Sequence, residues 1–146
     1  MEEFVNFINR NDFAITENES KTRNGLVFAF VGDAVFSLFV RTYLAGRSTA
    51  KAGMLHTLAV KFVRASYQSR LIDLLQEKLT EKEQQIILSA RNQKTNNVAK
   101  NSNLVEYKKS TSFEALLGFL YLTNQNERLL EILGFCKNEM EKEMIK

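Results

Sequence analysis

The sequence contains no proline, and only six of its 146 residues are glycine. Proline and glycine mark the turns of proteins built from short strands, so this chain lacks the punctuation of a β-rich fold. Apolar residues recur instead at the 3.6-residue spacing of amphipathic helices. The sequence therefore predicts an all-α protein, a helical bundle that forms one domain over residues 1–146 with a hydrophobic core of its own.

The periodic segments define the predicted helices, and the polar segments between them define the connections. A leading segment, residues 1–24, begins with a short helix over Glu2–Asn9. Residues 54–78 form one long helix or two, and Thr80 with Glu83 makes a capping box that opens the next helix. The remaining predictions are helices over residues 25–44, 81–90, 111–122 and 127–146, and a basic loop over residues 91–110.

The bulk properties exclude several classes of protein. A net charge of +3 argues only weakly for a nucleic-acid partner, so local clusters of basic residues have to support that interpretation. The single cysteine, Cys136, excludes an intramolecular disulfide and cysteine-rich metal sites, and it suits a reducing cytosol. No basic start precedes an apolar run, and the apolar segment 26–40 is short and interrupted by Asp33. We therefore expect a cytoplasmic protein without a secretory signal or a membrane span.

Asp33 is the most unusual residue, because it lies in the centre of the apolar segment LVFAFVGDAVFSLFV. As a helix this segment is predicted to be buried almost all round, and the face that carries Asp33 includes no base. Burying an unpaired carboxylate costs several kcal/mol, so such a group usually protonates, pairs or binds a metal. Asp33 is therefore a candidate metal ligand. The alternative is a core acid that is hydrogen-bonded to backbone or water.

Glu114 repeats this pattern in STSFEALLGFLYL, again without a basic neighbour and with Gly118 on or beside the acidic face. A glycine inside a helix costs about 1 kcal/mol relative to alanine, so Gly32 and Gly118 indicate that two backbones approach closely. We predict that the two apolar helices cross there and bring Asp33 and Glu114 together at one edge of the core. Two ionised carboxylates in one site need a cation such as Mg²⁺. The alternative for Glu114 is a capping box with Thr111.

The predicted loop over residues 91–110 concentrates basic side chains and contains only one acid, Glu106. Cations and amides in such a segment suit contacts with phosphates, which position a nucleic acid without reading its sequence. The alternative is an ordinary solvated loop. The candidate RNA-binding residues are Arg91, Lys94, Lys100, Lys108 and Lys109.

The segment FAFVGDAVFSLFVRTYL resembles the signature helix of the ribonuclease III family, which is built on an acid, two apolar residues and Gly-Asp-Ala. The segment STSFEALLGFLYL is similar to that family's second metal-binding helix, built on Phe-Glu-Ala-Leu. The segments LHTLAVKFVRA and ARNQKTNNVAKNSNLVEYKKSTSFEALLG resemble more narrowly its short bacterial branch, Mini-ribonuclease III, which lacks a double-stranded-RNA-binding domain. The resemblance covers residues 26–122.

This resemblance implies a ribonuclease III-like endonuclease domain that works as a homodimer, with Asp33 as the catalytic aspartate and Glu114 as the metal-binding glutamate. It implies Mg²⁺-assisted hydrolysis of double-stranded RNA, with precursor 23S ribosomal RNA as the substrate and the basic loop as the RNA-binding segment. It leaves open whether a ribosomal protein assists. Two further acids of full-length ribonuclease III correspond to Ala29 and Thr111. We therefore expect one Mg²⁺ per site in the resting enzyme, and it stays open whether a second arrives with substrate.

The two missing acids also motivate a rival interpretation, a non-catalytic helical RNA-binding or adaptor protein on the same scaffold. Retention of both Asp33 and Glu114 argues against it, because an inactive scaffold has no reason to keep two buried charges. A third interpretation is a helical interaction module without an RNA role. Incubation of the purified protein with duplex RNA, in Mg²⁺ or in EDTA, separates all three.

Overall fold

The structure, a computed structural model, describes residues 14–93 and 103–145 together with Glu3. All regular structure in these residues is helical, which confirms the predicted all-α fold. The predicted helix over Glu2–Asn9 lies outside the described residues, apart from Glu3. The helices are α1 Glu17–Ser20, α2 Gly25–Arg47, α3 Ala52–Val63, α4 Ala65–Leu75, a 3₁₀ turn Gln76–Lys78, α5 Glu81–Arg91, α6 Leu104–Leu122 and α7 Asn126–Ile145.

Two local predictions about helix ends can be compared directly with the structure. The segment predicted as one long helix or two forms two, because Arg64 between α3 and α4 adopts an extended backbone (φ −69°, ψ 156°). The capping box at the start of α5 is confirmed. Thr80 Oγ1 accepts a hydrogen bond from Glu83 N at 3.1 Å, and Glu83 Oε1 accepts one from Thr80 N at 2.9 Å.

The predicted basic loop over residues 91–110 is too long, because α6 already begins at Leu104. The Asn103 side chain caps this helix by accepting hydrogen bonds from two backbone N–H groups of its first turn. Hydroxyl groups of the polar residues that follow donate to carbonyl oxygens of the preceding turn, so these residues fit inside the helix. The three residues that do this are Ser110, Thr111 and Ser112.

Helix α6 is the centre of the bundle, because α2, α4, α5 and α7 all pack against it. It is buried from Ser110 to Leu120 except at Glu114. Helix α2 packs against α6, α3 and α5, which cover only one side of it. The prediction that α2 is buried almost all round is therefore wrong, and on its other side Phe30 is 79% exposed.

Helices α2 and α6 cross at two glycines, as predicted. A Cβ atom added at Gly32 would overlap the carbonyl oxygen of Glu114, and one added at Gly118 would overlap the carbonyl oxygen of Phe28. The two backbones are therefore in direct contact, and only glycine leaves room for the other helix. This contact fixes the relative position of the side chains next to both glycines.

Helix α2 is also, within the described chain, the one helix that is long and apolar enough to cross a bilayer. The apolar segment 26–40 is shorter than a span, as predicted, but the helix that contains it continues to Arg47 and covers 23 residues. Length and composition are the only criteria that it meets. Its buried stripe, which includes Phe28, Phe36 and Val40, packs in the core of the bundle.

Candidate active site

The crossing of α2 and α6 brings Asp33 and Glu114 together. Asp33 follows Gly32 on α2, and Glu114 is the residue of α6 whose carbonyl oxygen touches Gly32. The Glu114 carboxyl group lies within hydrogen-bonding reach of the Asp33 carboxylate. Asp33 is exposed and Glu114 is half-buried, so the pair lies at the edge of the core, as predicted, with Asp33 toward solvent. The interpretation of Asp33 as a buried core acid is wrong, because Asp33 is exposed and no helix in the described part of the chain covers this face of α2.

The electrostatic environment disfavours ionisation of both acids at once. Burial raises the pKa of Glu114 to about 9, and the hydrogen bond and the negative charge of Asp33 act in the same direction. Within the described residues, neither carboxylate takes part in a salt bridge with Lys or Arg. Without a cation Glu114 therefore keeps a proton at neutral pH, and a bound cation would allow it to ionise.

The capping-box interpretation of Glu114 is wrong. Helix α6 begins at Leu104, so Thr111 lies inside the helix rather than at its N-cap. The Thr111 hydroxyl donates to the Tyr107 carbonyl oxygen at 3.0 Å, which is a bond within the helix. The Glu114 side chain points to Asp33 and Gln68 and caps nothing.

Gln68 is a residue of this site that the sequence analysis missed. Its side chain is 2% exposed, and its Nε2 donates to the Val63 carbonyl oxygen at 3.1 Å. Its amide also lies near the Glu114 carboxylate, and its donor character acts against the raised pKa of that group. The signal was present in the helical spacing, because Gln68 precedes Leu71 and Leu75 by one and two turns on the buried stripe of α4.

The donor set at the crossing consists of two carboxylates. No group of three or more His, Cys, Asp or Glu side chains that could hold a metal ion is found in the described part of the chain. Ala29 is buried on α2, and Thr111 is hydrogen-bonded within α6, so neither adds a carboxylate where the resemblance would place one. Mg²⁺ is commonly held by one or two carboxylates together with waters and substrate phosphate, so the residues present fit this ion.

The predicted RNA-binding residues fall into two groups. Lys94 and Lys100 lie outside the described residues. Arg91 ends α5, whereas Lys108 and Lys109 lie on α6 rather than in a loop. Arg91 and Lys109 line the same surface cleft, and the Lys109 ammonium is 3.0 Å from a carboxylate oxygen of Asp73.

The ribonuclease III domain matches residues 26–125 of this chain, a segment that includes both acids of the pair. The chain belongs to the ribonuclease III family. The predicted resemblance is therefore confirmed, and the protein is an endoribonuclease of this family. The match begins with α2, extends through α6, and ends just before α7.

Individual ribonuclease III relatives cover most of the chain. It is 42% identical to the Mini-ribonuclease 3 of Streptococcus pneumoniae over 120 residues, which are 81% of this chain and 94% of the relative. It is 39% identical to the Mini-ribonuclease 3 of Clostridium tetani over 127 residues, 86% of this chain and 84% of the relative. A crystal structure of a Fusobacterium nucleatum protein superposes with a TM-score of 0.74 at 28% identity, covering 83% of this chain and 97% of that one.

Proposed function

We propose that this protein is a Mg²⁺-dependent endonuclease that cleaves double-stranded RNA, and that its substrate is precursor 23S ribosomal RNA. The observation that carries the proposal is the pair of carboxylates at the glycine crossing, which has no salt bridge to a basic residue in the described chain. A purely structural pair would be costly to keep, since an uncompensated charge at the edge of a core destabilises the fold. The ribosomal RNA substrate is supported by the similarity to Mini-ribonuclease III.

Asp33 and Glu114 would hold the ion from two different helices. Asp33, which faces solvent, would also be the group nearer to the phosphate of an incoming strand. Mg²⁺ at this position would supply Lewis-acid stabilisation of the negative charge that develops when a phosphodiester is hydrolysed. The glycine contact between α2 and α6 holds the two acids on rigid backbone, so little reorganisation is needed when the ion binds.

Binding of the duplex is assigned to the basic residues of the segment 91–109. Double-stranded RNA is recognised mainly through its shape, its phosphates and its 2′-hydroxyl groups, which suits exposed cations without base-reading side chains. The proposed contacts are Arg91, Lys94, Lys100, Lys108 and Lys109. Lys109 already pairs with Asp73, so we expect its contribution to be smaller than that of Lys108.

We also propose that the protein works as a homodimer that uses the uncovered face of α2. This face carries exposed apolar side chains, above all Phe30, with Val27 and Leu38 along the same helix. A second copy of the chain is the occupant that the ribonuclease III resemblance implies. Sedimentation at micromolar concentration would contradict this proposal if it showed a well-folded 16.8 kDa monomer.

Single-turnover cleavage of a duplex RNA in Mg²⁺ and in EDTA tests the activity. Asp33→Asn and Glu114→Gln keep the shape of the side chains and remove the charge. Each is expected to slow cleavage at least about a hundredfold, or ~2.7 kcal/mol of barrier, while the fold and duplex binding remain. Glu77→Gln, at an exposed acid of the 3₁₀ turn, is the control and should cleave at the wild-type rate.

Two outcomes would contradict the proposed function. If Asp33→Asn cleaved at nearly the wild-type rate, or lost activity only because it unfolded, the acid pair would not be the metal site. If the wild-type protein bound duplex RNA but did not cleave it in Mg²⁺, the adaptor interpretation would replace the enzymatic one.

A further inference from the structure

Gln68 is a buried polar side chain that connects α4 to the acid pair. It lies on the apolar stripe of α4 and is 2% exposed. Nothing about α4 alone explains a glutamine there, because an apolar residue would fill the same stripe without the cost of burying an amide. Its neighbours explain it, since the amide donates to the Val63 carbonyl oxygen at 3.1 Å and α4 packs against α6, which brings the amide near the Glu114 carboxylate.

The chemistry of the amide suits this position. A primary amide has two N–H donors, so one can bond Val63 while the other bonds Glu114. A neutral donor fixes the orientation of a carboxylate and leaves its negative charge available to a cation. A lysine or an arginine at the same place would instead neutralise the acid pair and compete with the ion.

We propose that Gln68 is a positioning residue of the metal site. By bridging the Val63 carbonyl oxygen and the Glu114 carboxylate, it holds Glu114 in the orientation in which that group meets Mg²⁺ beside Asp33. The inference rests on the proposed function and adds to it a residue that does not itself touch the ion. Removing a hydrogen-bond partner of a metal ligand commonly changes metal affinity or activity by about 10- to 100-fold.

The chain provides a matched control for this test in Gln84. Gln84 Nε2 donates to the Leu79 carbonyl oxygen at 3.3 Å, five residues before it, as Gln68 Nε2 does to Val63. Both glutamines are the fourth residue of their helix, α5 and α4 respectively. Gln84 is exposed, however, and its side chain has no hydrogen bond to a carboxylate in the part of the chain that the structure describes. Gln84→Met therefore removes the same local bond without affecting the acid pair.

The experiment compares Gln68→Met with Gln84→Met in the full chain. The first measurement, made without RNA, is the rise in melting temperature at increasing Mg²⁺. The second is the Mg²⁺ dependence of single-turnover duplex cleavage. Gln68→Met should need about tenfold more Mg²⁺ than wild type for the same rise in melting temperature and for the half-maximal cleavage rate. For Gln84→Met both concentrations should stay within about twofold of wild type. At saturating Mg²⁺ the cleavage rate of Gln68→Met should recover toward wild type.

Equal Mg²⁺ requirements for the two variants would overturn the proposal and leave Gln68 as a helix-start residue like Gln84. If Gln68→Met does not fold in EDTA, Gln68→Asn, which keeps the amide on a shorter side chain, replaces it. A raised Mg²⁺ requirement in that variant would support the proposal, and a wild-type one would overturn it. Failure of the proposed function looks different, because the wild-type protein itself would then neither cleave duplex RNA nor melt higher in Mg²⁺.

Discussion

Glu83 and Glu114 are two glutamates of the same bundle with opposite electrostatic environments. Glu83, at the start of α5, is 3% exposed, and Arg128 of α7 contacts both of its carboxylate oxygens at 2.8 and 2.9 Å. Burial alone would raise its pKa, but the hydrogen bonds from Arg128 and Thr80 outweigh burial and lower it. For Glu114 burial raises the pKa to about 9, and its charged neighbour, the acid Asp33, acts in the same direction instead of opposing it.

The difference separates a carboxylate that holds the fold together from one that is available for a ligand. Glu83 has its hydrogen bonds and its counter-charge within the chain, so the pair with Arg128 ties α5 to α7. Within the described residues Glu114 has a neutral donor, Gln68, and a like charge, Asp33, but no salt bridge to a basic residue. A carboxylate that lacks a counter-charge in this way is a candidate site for binding a cation.

The largest expected effect would come from breaking the compensated pair. Arg128→Met leaves the Glu83 carboxylate buried without its counter-charge, and it should lower the free energy of unfolding by about 3 kcal/mol. Urea unfolding measures this. The double variant Glu83→Gln with Arg128→Met should lose less than Arg128→Met alone, because glutamine keeps the capping box with Thr80 and carries no charge. A loss below about 1 kcal/mol for Arg128→Met would mean that Glu83 does not depend on its partner.

The next largest effect concerns the backbone that positions the uncompensated pair. Gly32→Ala places a methyl group against the Glu114 carbonyl oxygen, so the helices must separate at a cost of about 2–3 kcal/mol. Gly134→Ala in α7 is the control, since a Cβ atom there meets nothing within 4 Å. It should gain up to about 1 kcal/mol from helix propensity. Equal melting temperatures for the two variants would contradict the close contact between the backbones of α2 and α6.

A smaller effect distinguishes the two glutamates by pH. In EDTA the folded protein keeps Glu114 protonated up to a pKa of about 9, whereas the unfolded chain ionises it near its ordinary value of 4.5. Between these values the unfolded state binds fewer protons, so stability due to this group is highest at low pH and falls as the pH rises. Glu114→Gln should remove this loss and melt higher than wild type at pH 8 in EDTA. If it melted lower than wild type across this range, Glu114 would be a compensated structural acid like Glu83.

The smallest effect extends the comparison from acids to bases. Within the described chain Lys109 pairs with Asp73, and Lys108 beside it forms no salt bridge. Lys108→Ala should weaken duplex binding and reduce the slope of log affinity against log salt concentration by about one. Lys109→Ala should change that slope less and cost below about 1 kcal/mol of stability. A larger change of slope for Lys109→Ala than for Lys108→Ala would show that the paired lysine is the one that binds RNA.

The sequence alone determined the features that depend on neighbours along the chain. Helical spacing and the absence of proline were enough for the all-α fold, and Thr80 with Glu83 was enough for the start of α5. The glycines were informative for the same reason, since a glycine inside an apolar helix has few explanations besides a close contact. That argument led from Gly32 and Gly118 to the crossing and hence to the acid pair.

Only the tertiary structure decided what lies on each face of a helix. Spacing marks α2 as apolar, but whether a face is covered depends on which helices pack against it, and α3, α5 and α6 leave the side with Phe30 open. The role of Gln68 was hidden for the same reason, because its partner Glu114 lies 46 positions further along the chain.

The start of α6 was mistaken for a loop because its serine and threonine hydroxyls donate to backbone carbonyl oxygens of the same helix, which composition does not reveal. Charge compensation is a property of groups brought together in space, so Glu83 and Glu114 could be told apart only after folding.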